Sequence, residues 1–295
     1  MRKTSTNKIK VIAIVGATAS GKTSYSIELA KEIGGEIISA DSRLVYRGFD
    51  IGTAKPTKEE QSGIKHYMID IAEPEFDYSA GLYQKQAKEY IYQIHKSGKT
   101  PIVVGGTGLY IDILLKNYNL PNFEPDKSLR QKLEKLSTQE LYSILEKSDP
   151  KGAKTIETND RKKIIRSIEI IKKLGTTLEQ ARGINEESEF DVEWIGRNFD
   201  RKTLYARIDE RVEQMIEQGL VKETQNLLDK HGRIYNLTNT IGYREIIKYL
   251  DNELSLEESK ELLKKNTRNY AKRQLTWFRK NEDIKWNIFP EKLAK

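Results

Sequence analysis

The sequence predicts an α/β fold, in which a parallel P-loop sheet carries helices on both faces and receives an inserted all-helical domain. Short apolar runs alternate with helical patterns at the start of the chain, as expected for strands joined by crossover helices. Strand signals then stop and return only late in the chain. We therefore predict a first part of the core over 1–118, a helical insertion over 119–190 and completion of the core over 191–295.

The predicted strands are short apolar runs. They are KVIAIV (10–15), EIISA (36–40), YMIDI (67–71), PIVV (101–104) and DVEWIGRN (191–198). Helices are predicted over Lys22–Ile33, which stops at two glycines, and over Ser79–Lys96. In parallel sheets of this kind, ligands bind outside the carboxyl ends of the strands.

Helix-start signals mark the insertion and the C-terminal region. Ser137 with Glu140 forms a capping box, and Asp160 precedes the run RKKIIRSIEIIKKL. A second capping box, Ser255 with Glu258, opens a long C-terminal helix.

Composition excludes several classes of site. The chain of 295 residues has no cysteine, so disulfides and thiolate metal sites are impossible. Its three histidines, His66, His95 and His231, have no metal-ligand spacing. No apolar run is long enough for a membrane span, so we expect a soluble, cytoplasmic protein. The net charge of +7 suggests a polyanionic partner only if the basic residues share one face.

Residues 16–23 read GATASGKT, which is the G-x-x-x-x-G-K-T motif placed between a strand and a helix. Gly16 and Gly21 allow the backbone to approach phosphate oxygens, and Lys22 supplies a positive charge. The hydroxyl of Thr23 suits Mg²⁺. The motif therefore predicts a diphosphate site over Gly16, Ala17, Thr18, Ala19, Ser20, Gly21, Lys22 and Thr23.

Two further residues follow predicted strands. A P-loop kinase or hydrolase needs an aspartate at the end of a second strand, but PIVV ends in Gly-Gly-Thr. Asp41 follows EIISA and can be a metal ligand, a general base or the cap of a turn. Thr107 lies between glycines, which suggests either a close approach by another group or an ordinary turn. Asp70, inside YMIDI, is better explained as a structural residue.

Basic residues stand out on three helical segments. Arg207 and Arg211 lie four residues apart, so they form either a solvated ionic surface or a phosphate clamp. The C-terminal helix carries Lys264, Arg268 and Lys272 on one row, which is easier to understand if a polyanion neutralises it. With the basic insertion helix, this pattern suggests bound nucleic acid.

The whole set of motifs resembles the tRNA dimethylallyltransferases nearly end to end. The stretches that carry the resemblance are GATASGKT, DSRLVYRGFDIGTAKP, DIAEPEFDYSA, VVGGTGLY, NDRKKIIRSIEI, RIDERVEQMIEQGL, TIGYRE and YAKRQLTWFRK. Ala17 stands where the family usually has proline, and Arg43 where a small residue is common. The chain lacks the cysteines of the zinc finger found in eukaryotic relatives, so it is similar to the bacterial form.

The resemblance implies transfer of a dimethylallyl group from dimethylallyl diphosphate to the N6 amine of the adenine 3′ of the anticodon. Asp41 is then the base and Thr107 its partner, while the loop, Arg211 and Mg²⁺ held by Thr23 neutralise the diphosphate. It also implies tRNA contacts by Asp41, Ser42, Arg43, Leu44, Thr107, Arg130, Lys162, Lys163, Ile164, Ile165, Arg166, Thr240, Ile241, Gly242, Tyr243, Arg244, Glu245, Arg273, Gln274, Trp277, Arg279 and Lys280. We expect a monomer that binds the anticodon stem-loop of tRNA.

Three alternatives stay open on the sequence. A P-loop small-molecule or nucleoside kinase would transfer phosphate from ATP and would not need the basic C-terminal helix. An adenylate isopentenyltransferase would prenylate free AMP, ADP or ATP. A nucleic-acid-binding module with an unused P-loop would not need Asp41 or Thr107.

Overall fold

A computed structural model of the protein describes residues 8–116, 123, 126–181 and 188–289, and its strands form one sheet. The strands are β1 (Ile9–Gly16), β2 (Gly35–Ser39), β3 (His66–Tyr67), β4 (Thr100–Gly105), β5 (Phe190–Phe199) and β6 (Lys285–Phe289). Their order across the sheet is β3-β2-β4-β1-β5-β6, and all paired neighbours are parallel. The predicted α/β class is confirmed.

Helices connect these strands and follow the sequence signals closely. They are α1 (Lys22–Ile33), α2 (Ala80–Lys96), α3 (Gly108–Leu115), α4 (Lys127–Leu133), α5 (Thr138–Ser148), α6 (Pro150–Ala153), α7 (Arg161–Leu174), α8 (Leu178–Ala181), α9 (Arg201–Glu217), α10 (Leu220–His231), α11 (Tyr235–Thr238), α12 (Tyr243–Leu250) and α13 (Leu256–Phe278). Capping boxes open α5 at Ser137 and α13 at Ser255, as predicted. None of these described helices is both long and apolar enough to cross a membrane.

The chain divides into two compact units, one formed by Met1–Leu115 with Glu189–Lys295 and the other by Lys116–Ser188. The described residues of the first unit contain the sheet, and those of the second contain α4 to α8. The second unit has its own core, in which Leu141, Leu145 and Ile168 are almost completely buried. Each unit therefore has the apolar interior that a separate domain needs.

The strand predicted over 67–71 is wrong beyond Tyr67. Met68 and Asp70 have positive φ angles, of 65° and 54°, which a β-strand does not allow. Asp70 forms an ion pair with Lys55, which confirms the prediction that Asp70 is a structural residue. The sheet also ends in β6, which the sequence patterns did not predict.

The core of the sheet brings three strand ends to one edge. Ile14, Ile27 and Ile102 pack in a buried cluster that joins α1 to β1 and β4. Because β1, β2 and β4 are parallel, their carboxyl ends meet at the same edge. The backbone N–H of Thr107, just after β4, donates to the carbonyl of Ala40, just after β2, at 3.2 Å. The P-loop and the predicted catalytic turns therefore belong to one site.

Candidate active site at the carboxyl edge of the sheet

The P-loop leaves β1 through a position that only glycine can occupy. Gly16 has a φ of 153°, and a Cβ added there would lie 2.1 Å from the carbonyl oxygen of Arg197 in β5. Within the loop, Ala19 adopts a φ of 61°, which is uncommon outside glycine. The loop ends directly at the N-terminus of α1, where the helix dipole favours an anion. Backbone strain of this kind is typical of ligand-binding loops.

The surroundings of Lys22 disfavour the charged form of its amine. Its Nζ donates to the carbonyl of Ala17 within the loop. Desolvation, followed by the nearby charge of Arg211, lowers the pKa of Lys22 to about 7, and the carboxylate of Asp41 offsets this only in part. A bound anion would remove the repulsion and restore full charge to the lysine.

The two arginines of α9, Arg207 and Arg211, differ in their contacts. Nε of Arg207 donates to the carbonyl of Ala19 at 3.1 Å, and its guanidinium lies 4.6 Å from the ring centroid of Phe199. Burial, and then repulsion from Arg207, lowers the pKa of Arg211. Within the described part of the chain Arg211 has no hydrogen bond and no ion pair. Arg207 therefore fixes the loop, while Arg211 is left beside Lys22 to meet a ligand.

Ser20 offers a further hydroxyl inside the loop. It is fully buried, and its Oγ has no hydrogen-bond partner among the described residues. A buried hydroxyl without a partner costs free energy, so a ligand oxygen here would be favourable. Thr23, the second residue of α1, is exposed and can reach a metal ion bound to the same ligand.

Asp41 and Thr107 meet at the ends of β2 and β4. Oδ1 of Asp41 accepts the backbone N–H of Arg43 at 2.8 Å, so the carboxylate caps its own turn. Its second oxygen has no partner among the described residues and stays available. The N–H of Ser42 donates to Oγ1 of Thr107 at 3.2 Å, which joins the two turns. Capping and a chemical role for Asp41 are therefore compatible.

The glycines around Thr107 are required by the protein itself. A Cβ on Gly106 would lie 2.1 Å from Nε2 of Gln274, and one on Gly108 would lie 2.3 Å from the indole of Trp277. Both partners come from α13. The close approach that the sequence suggested at this turn is therefore made by the C-terminal helix.

Gln274 was predicted to contact tRNA, but its amide is already used within the protein. It is buried, its Oε1 accepts the N–H of Thr18 at 2.8 Å, and its Nε2 donates to the carbonyl of Gly106 at 2.9 Å. Gln274 thus holds the P-loop and the turn after β4 together. Trp277 donates from Nε1 to Asp112 at 2.8 Å but remains 41% exposed.

The other predicted tRNA contacts of the first unit fall into an accessible group and a buried group. Ser42, Arg43 and Leu44 are half-buried on the turn beside Asp41, and Ile241 and Arg244 are half-buried near α12. The buried members are Thr240, Gly242, Tyr243 and Glu245. Their polar groups bond internally, for example from the Tyr243 hydroxyl to Glu223 at 2.7 Å and from the Gly242 N–H to Glu245 at 2.8 Å. The buried group shapes the α12 region from inside.

The basic row on α13, which suggested a neutralising polyanion, is partly neutralised by acidic residues of α9. Lys264 pairs with Glu213 at 2.7 Å, and Arg268 pairs with Asp209 at 2.5 Å. These acidic residues alternate along α9 with Arg207 and Arg211. The exposed cations nearer the C-terminal end of α13 are Lys272, Arg273, Arg279 and Lys280.

The predicted contacts of the helical unit also separate by burial. Ile164 and Ile165 belong to its apolar core. Arg130 and Arg166 both bind the buried Glu169, at 2.9 and 2.6 Å. Lys162 and Lys163 are exposed at the start of α7. Burial favours a raised pKa for Glu169, but hydrogen bonds from the two arginines outweigh it and lower the pKa.

Two features of the site escaped the sequence patterns. Tyr270 on α13 lies near Asp41, since burial, and then the charge of Asp41, raise the pKa of its phenol to about 12. Tyr83 stacks on Tyr110 with ring centroids 4.1 Å apart, and the charge of Asp41 acts on both phenols. The described residues contain no cluster of three or more acidic or histidine side chains that could hold a metal alone.

The fold and the site define a P-loop α/β protein in which a carboxylate and a threonine lie beside the loop. The model of the IPP transferase family matches residues 44–281. A tRNA dimethylallyltransferase of Thermoanaerobacter sp. is 47% identical over 290 residues, which cover 94% of this chain and 91% of the relative. The chain belongs to the IPP transferase family.

Solved structures agree with this family. The full-length tRNA isopentenylpyrophosphate transferase of Bacillus halodurans matches with a TM-score of 0.72 and 42% identity, covering 96% of this chain and 91% of that one. A eukaryotic dimethylallyltransferase acting on tRNA matches with a TM-score of 0.85 and 28% identity, covering 97% of this chain and 75% of that one. The similarity therefore spans both parts of the sheet.

Proposed function

We propose that the chain transfers the dimethylallyl group of dimethylallyl diphosphate to the N6 amine of the adenine 3′-adjacent to the anticodon of tRNA, releasing diphosphate. The observation that carries this proposal is the position of Asp41 and Thr107 beside Lys22 and Arg211, with no strand-end carboxylate after β4. Such a site suits a diphosphate leaving group better than phosphoryl transfer. Relatives named as tRNA dimethylallyltransferases support the same substrates.

In the proposed reaction the adenine nitrogen attacks the allylic carbon, and the bond from that carbon to the bridging oxygen breaks. The free oxygen of Asp41 accepts the proton that the amine loses. Thr107 donates a hydrogen bond to the bridging oxygen, which takes the bonding electron pair. Lys22 and Arg211 neutralise the departing diphosphate. Removal of one preorganised donor of this kind costs roughly 10²–10³ in rate.

The residues at the loop also fit a magnesium ion bound through the diphosphate. Thr23 offers an exposed hydroxyl at the start of α1, and Mg²⁺ commonly takes its remaining ligands from phosphate oxygens and water. When bound, the ion would offset negative charge on the leaving group. Ser20 and Lys22 would hold the same diphosphate from the protein side.

On the acceptor side, the target adenine must leave its stack to reach Asp41. The half-buried turn of Ser42, Arg43 and Leu44 lies directly beside that carboxylate and suits contacts to the neighbouring nucleotides. Exposed cations on α13 and on α7 suit the phosphate backbone. We expect a monomer that acts on tRNA in the cytoplasm.

A transfer assay separates this proposal from its alternatives. Radiolabelled dimethylallyl diphosphate and Mg²⁺ are incubated with the protein and with either unmodified tRNA or AMP. Label in tRNA alone supports the proposal, and label in AMP would identify an adenylate isopentenyltransferase. Absence of transfer to either acceptor, together with phosphate transfer from ATP, would identify a kinase.

A further inference from the structure

Phe76 places a large apolar ring on the surface of the first unit. It lies in the turn between β3 and α2 and is 50% exposed. Its ring centroid is 6.3 Å from that of Tyr78, which is buried, so the exposed ring rests against a fixed one. Single exposed apolar residues are ordinary on protein surfaces, so the surroundings of Phe76 decide whether it has a role.

A buried amide connects the backbone of Phe76 to the candidate active site. Nδ2 of Asn236 donates to the carbonyl of Pro74 at 2.9 Å and to that of Phe76 at 3.1 Å. Nη1 of Arg43 donates to Oδ1 of the same amide at 3.4 Å, and the backbone N–H of Arg43 donates to Asp41 at 2.8 Å. A chain of hydrogen bonds through Asn236 and Arg43 therefore joins the backbone of Phe76 to Asp41.

A second aromatic residue lies in the same region. Tyr235 precedes Asn236 at the start of α11 and is 51% exposed. Asn236 is buried, and its hydrogen bonds hold this region in place before any ligand binds. A surface that is already ordered loses little conformational entropy when a partner binds.

Charge decides which part of a nucleic acid suits this surface. The segment around Phe76 contains the acidic residues Glu73, Glu75 and Asp77. Glu73 and Glu75 each bond to one basic side chain, so the segment offers phosphate no net positive charge. The face of a nucleobase is uncharged, and aromatic side chains stack on the unpaired bases of RNA. A base therefore fits Phe76 better than a phosphate does.

The proposed reaction creates a need for such a surface. The target adenine must leave its stack to reach Asp41. Each nucleobase beside it then loses a stacking partner on one face. An aromatic ring held next to the site can cover that face.

We propose that Phe76 stacks on the nucleobase of one nucleotide that adjoins the target adenine, and so replaces the stacking that this base loses. The inference rests on the proposed function, because it needs an adenine that leaves its stack at Asp41. Phe76 does not touch the reacting atoms. It is a binding residue for the anticodon loop of tRNA.

Filter binding of an anticodon stem-loop tests the inference. Phe76→Ala is expected to weaken the affinity about tenfold, since one base–aromatic stack contributes about this much. Phe76→Trp keeps an aromatic face and should preserve the affinity. Ile33→Ala is the control, because it changes another exposed apolar side chain, at the end of α1 and on the opposite edge of the sheet. It should leave the affinity unchanged.

Two further RNAs identify the base that Phe76 covers. In each of them, one of the two nucleotides beside the target adenine is abasic. The effect of Phe76→Ala should disappear with one of these RNAs, because the stack is already absent, and persist with the other. Persistence with both RNAs, or an unchanged affinity for the intact RNA, would overturn the inference. Sedimentation that shows a dimer dissociated by Phe76→Ala would also overturn it, since a second copy of the chain would then cover the ring.

The transfer assay with radiolabelled dimethylallyl diphosphate tests the proposed function separately. Label in tRNA, together with an unchanged RNA affinity of the Phe76→Ala variant, would overturn this inference alone. No label in tRNA would overturn the proposed function and this inference with it.

Discussion

At the scale of single residues, Lys22 is a lysine whose charge depends on what occupies the loop. Its pKa is lowered from 10.5 to about 7 by desolvation and by Arg211. Between these two values the unfolded chain holds a proton that the ligand-free folded protein lacks. The contribution of Lys22 therefore makes the free energy of unfolding rise with pH across that window.

This linkage predicts that diphosphate binding takes up a proton. At about pH 8.5, inorganic diphosphate should raise the pKa of Lys22, so calorimetry in buffers of different ionisation enthalpy should report net proton uptake. Lys22→Met should remove both the uptake and most of the affinity. Lys31→Met, which changes an exposed lysine at the end of the same helix, is the control and should change neither. Binding without uptake in the unsubstituted protein would contradict the assignment.

Asp41 is expected to separate chemistry from binding. Asp41→Asn keeps the oxygen that accepts the Arg43 N–H but loses the basic carboxylate, so the transfer rate should fall by about 10²–10⁴. The affinity for tRNA, measured by filter binding, should stay nearly unchanged. Asp70→Asn, which alters an aspartate paired with Lys55, should keep most activity. Loss of tRNA binding together with activity would show that Asp41 has a different role.

At the scale of elements, α13 packs closely against the turn after β4. Gly108→Ala would place a Cβ 2.3 Å from the Trp277 indole, and overpacking of this kind typically costs about 1–3 kcal/mol of stability. Gly81→Ala, also in the first turn of a helix, meets nothing within 4 Å. It should be neutral or stabilising. Urea unfolding of both variants checks the difference, and equal stabilities would contradict the described packing.

Sequence patterns predict some boundaries of helices and strands correctly and others incorrectly. Capping boxes at Ser137 and Ser255 are local hydrogen-bonding patterns, so they predict the starts of α5 and α13 correctly. The end of β3 is different, because Met68 and Asp70 take positive φ angles that follow from tertiary contacts such as the ion pair with Lys55.

In the site as well, local sequence motifs predict some features, whereas contacts between distant parts of the chain decide others. The motif GATASGKT fixes the loop, and parallel strands bring Asp41 and Thr107 to its edge. The residue that joins the loop to the turn after β4 could not be predicted, because Gln274 comes from a helix far along the chain. The pairing of Lys264 with Glu213 likewise depends on how α13 packs against α9.

At the scale of the whole molecule, the net charge is +7. Some of the basic residues form ion pairs within the protein, whereas others are exposed. Lys260 and Lys264 on α13 both pair with Glu213, and each also pairs with a glutamate three residues before it. Arg279 and Lys280 at the end of the helix are exposed. Only exposed cations can release counterions from a nucleic acid. The basic composition therefore suggests a polyanionic partner chiefly through the exposed set.

The exposed set predicts a specific salt dependence. Replacement of Arg279 and Lys280 by alanine should weaken tRNA binding and reduce the slope of log affinity against log salt by about 1.4–1.8, since two phosphate contacts are lost. Lys260→Ala on the same helix removes a paired cation and should leave the slope unchanged. Binding measured from low to high salt checks both. Equal slopes in all three proteins would contradict the placement of tRNA along α13.

In the proposed function the P-loop holds a prenyl diphosphate, and one adenine of tRNA accepts the prenyl group. The most direct test offers labelled dimethylallyl diphosphate to two anticodon stem-loops that differ only in the nucleotide 3′ of the anticodon, adenine in one and guanine in the other. We expect label in the adenine RNA alone, located on N6 after digestion to nucleosides. Label in both RNAs, or in neither while ATP is hydrolysed, would contradict it.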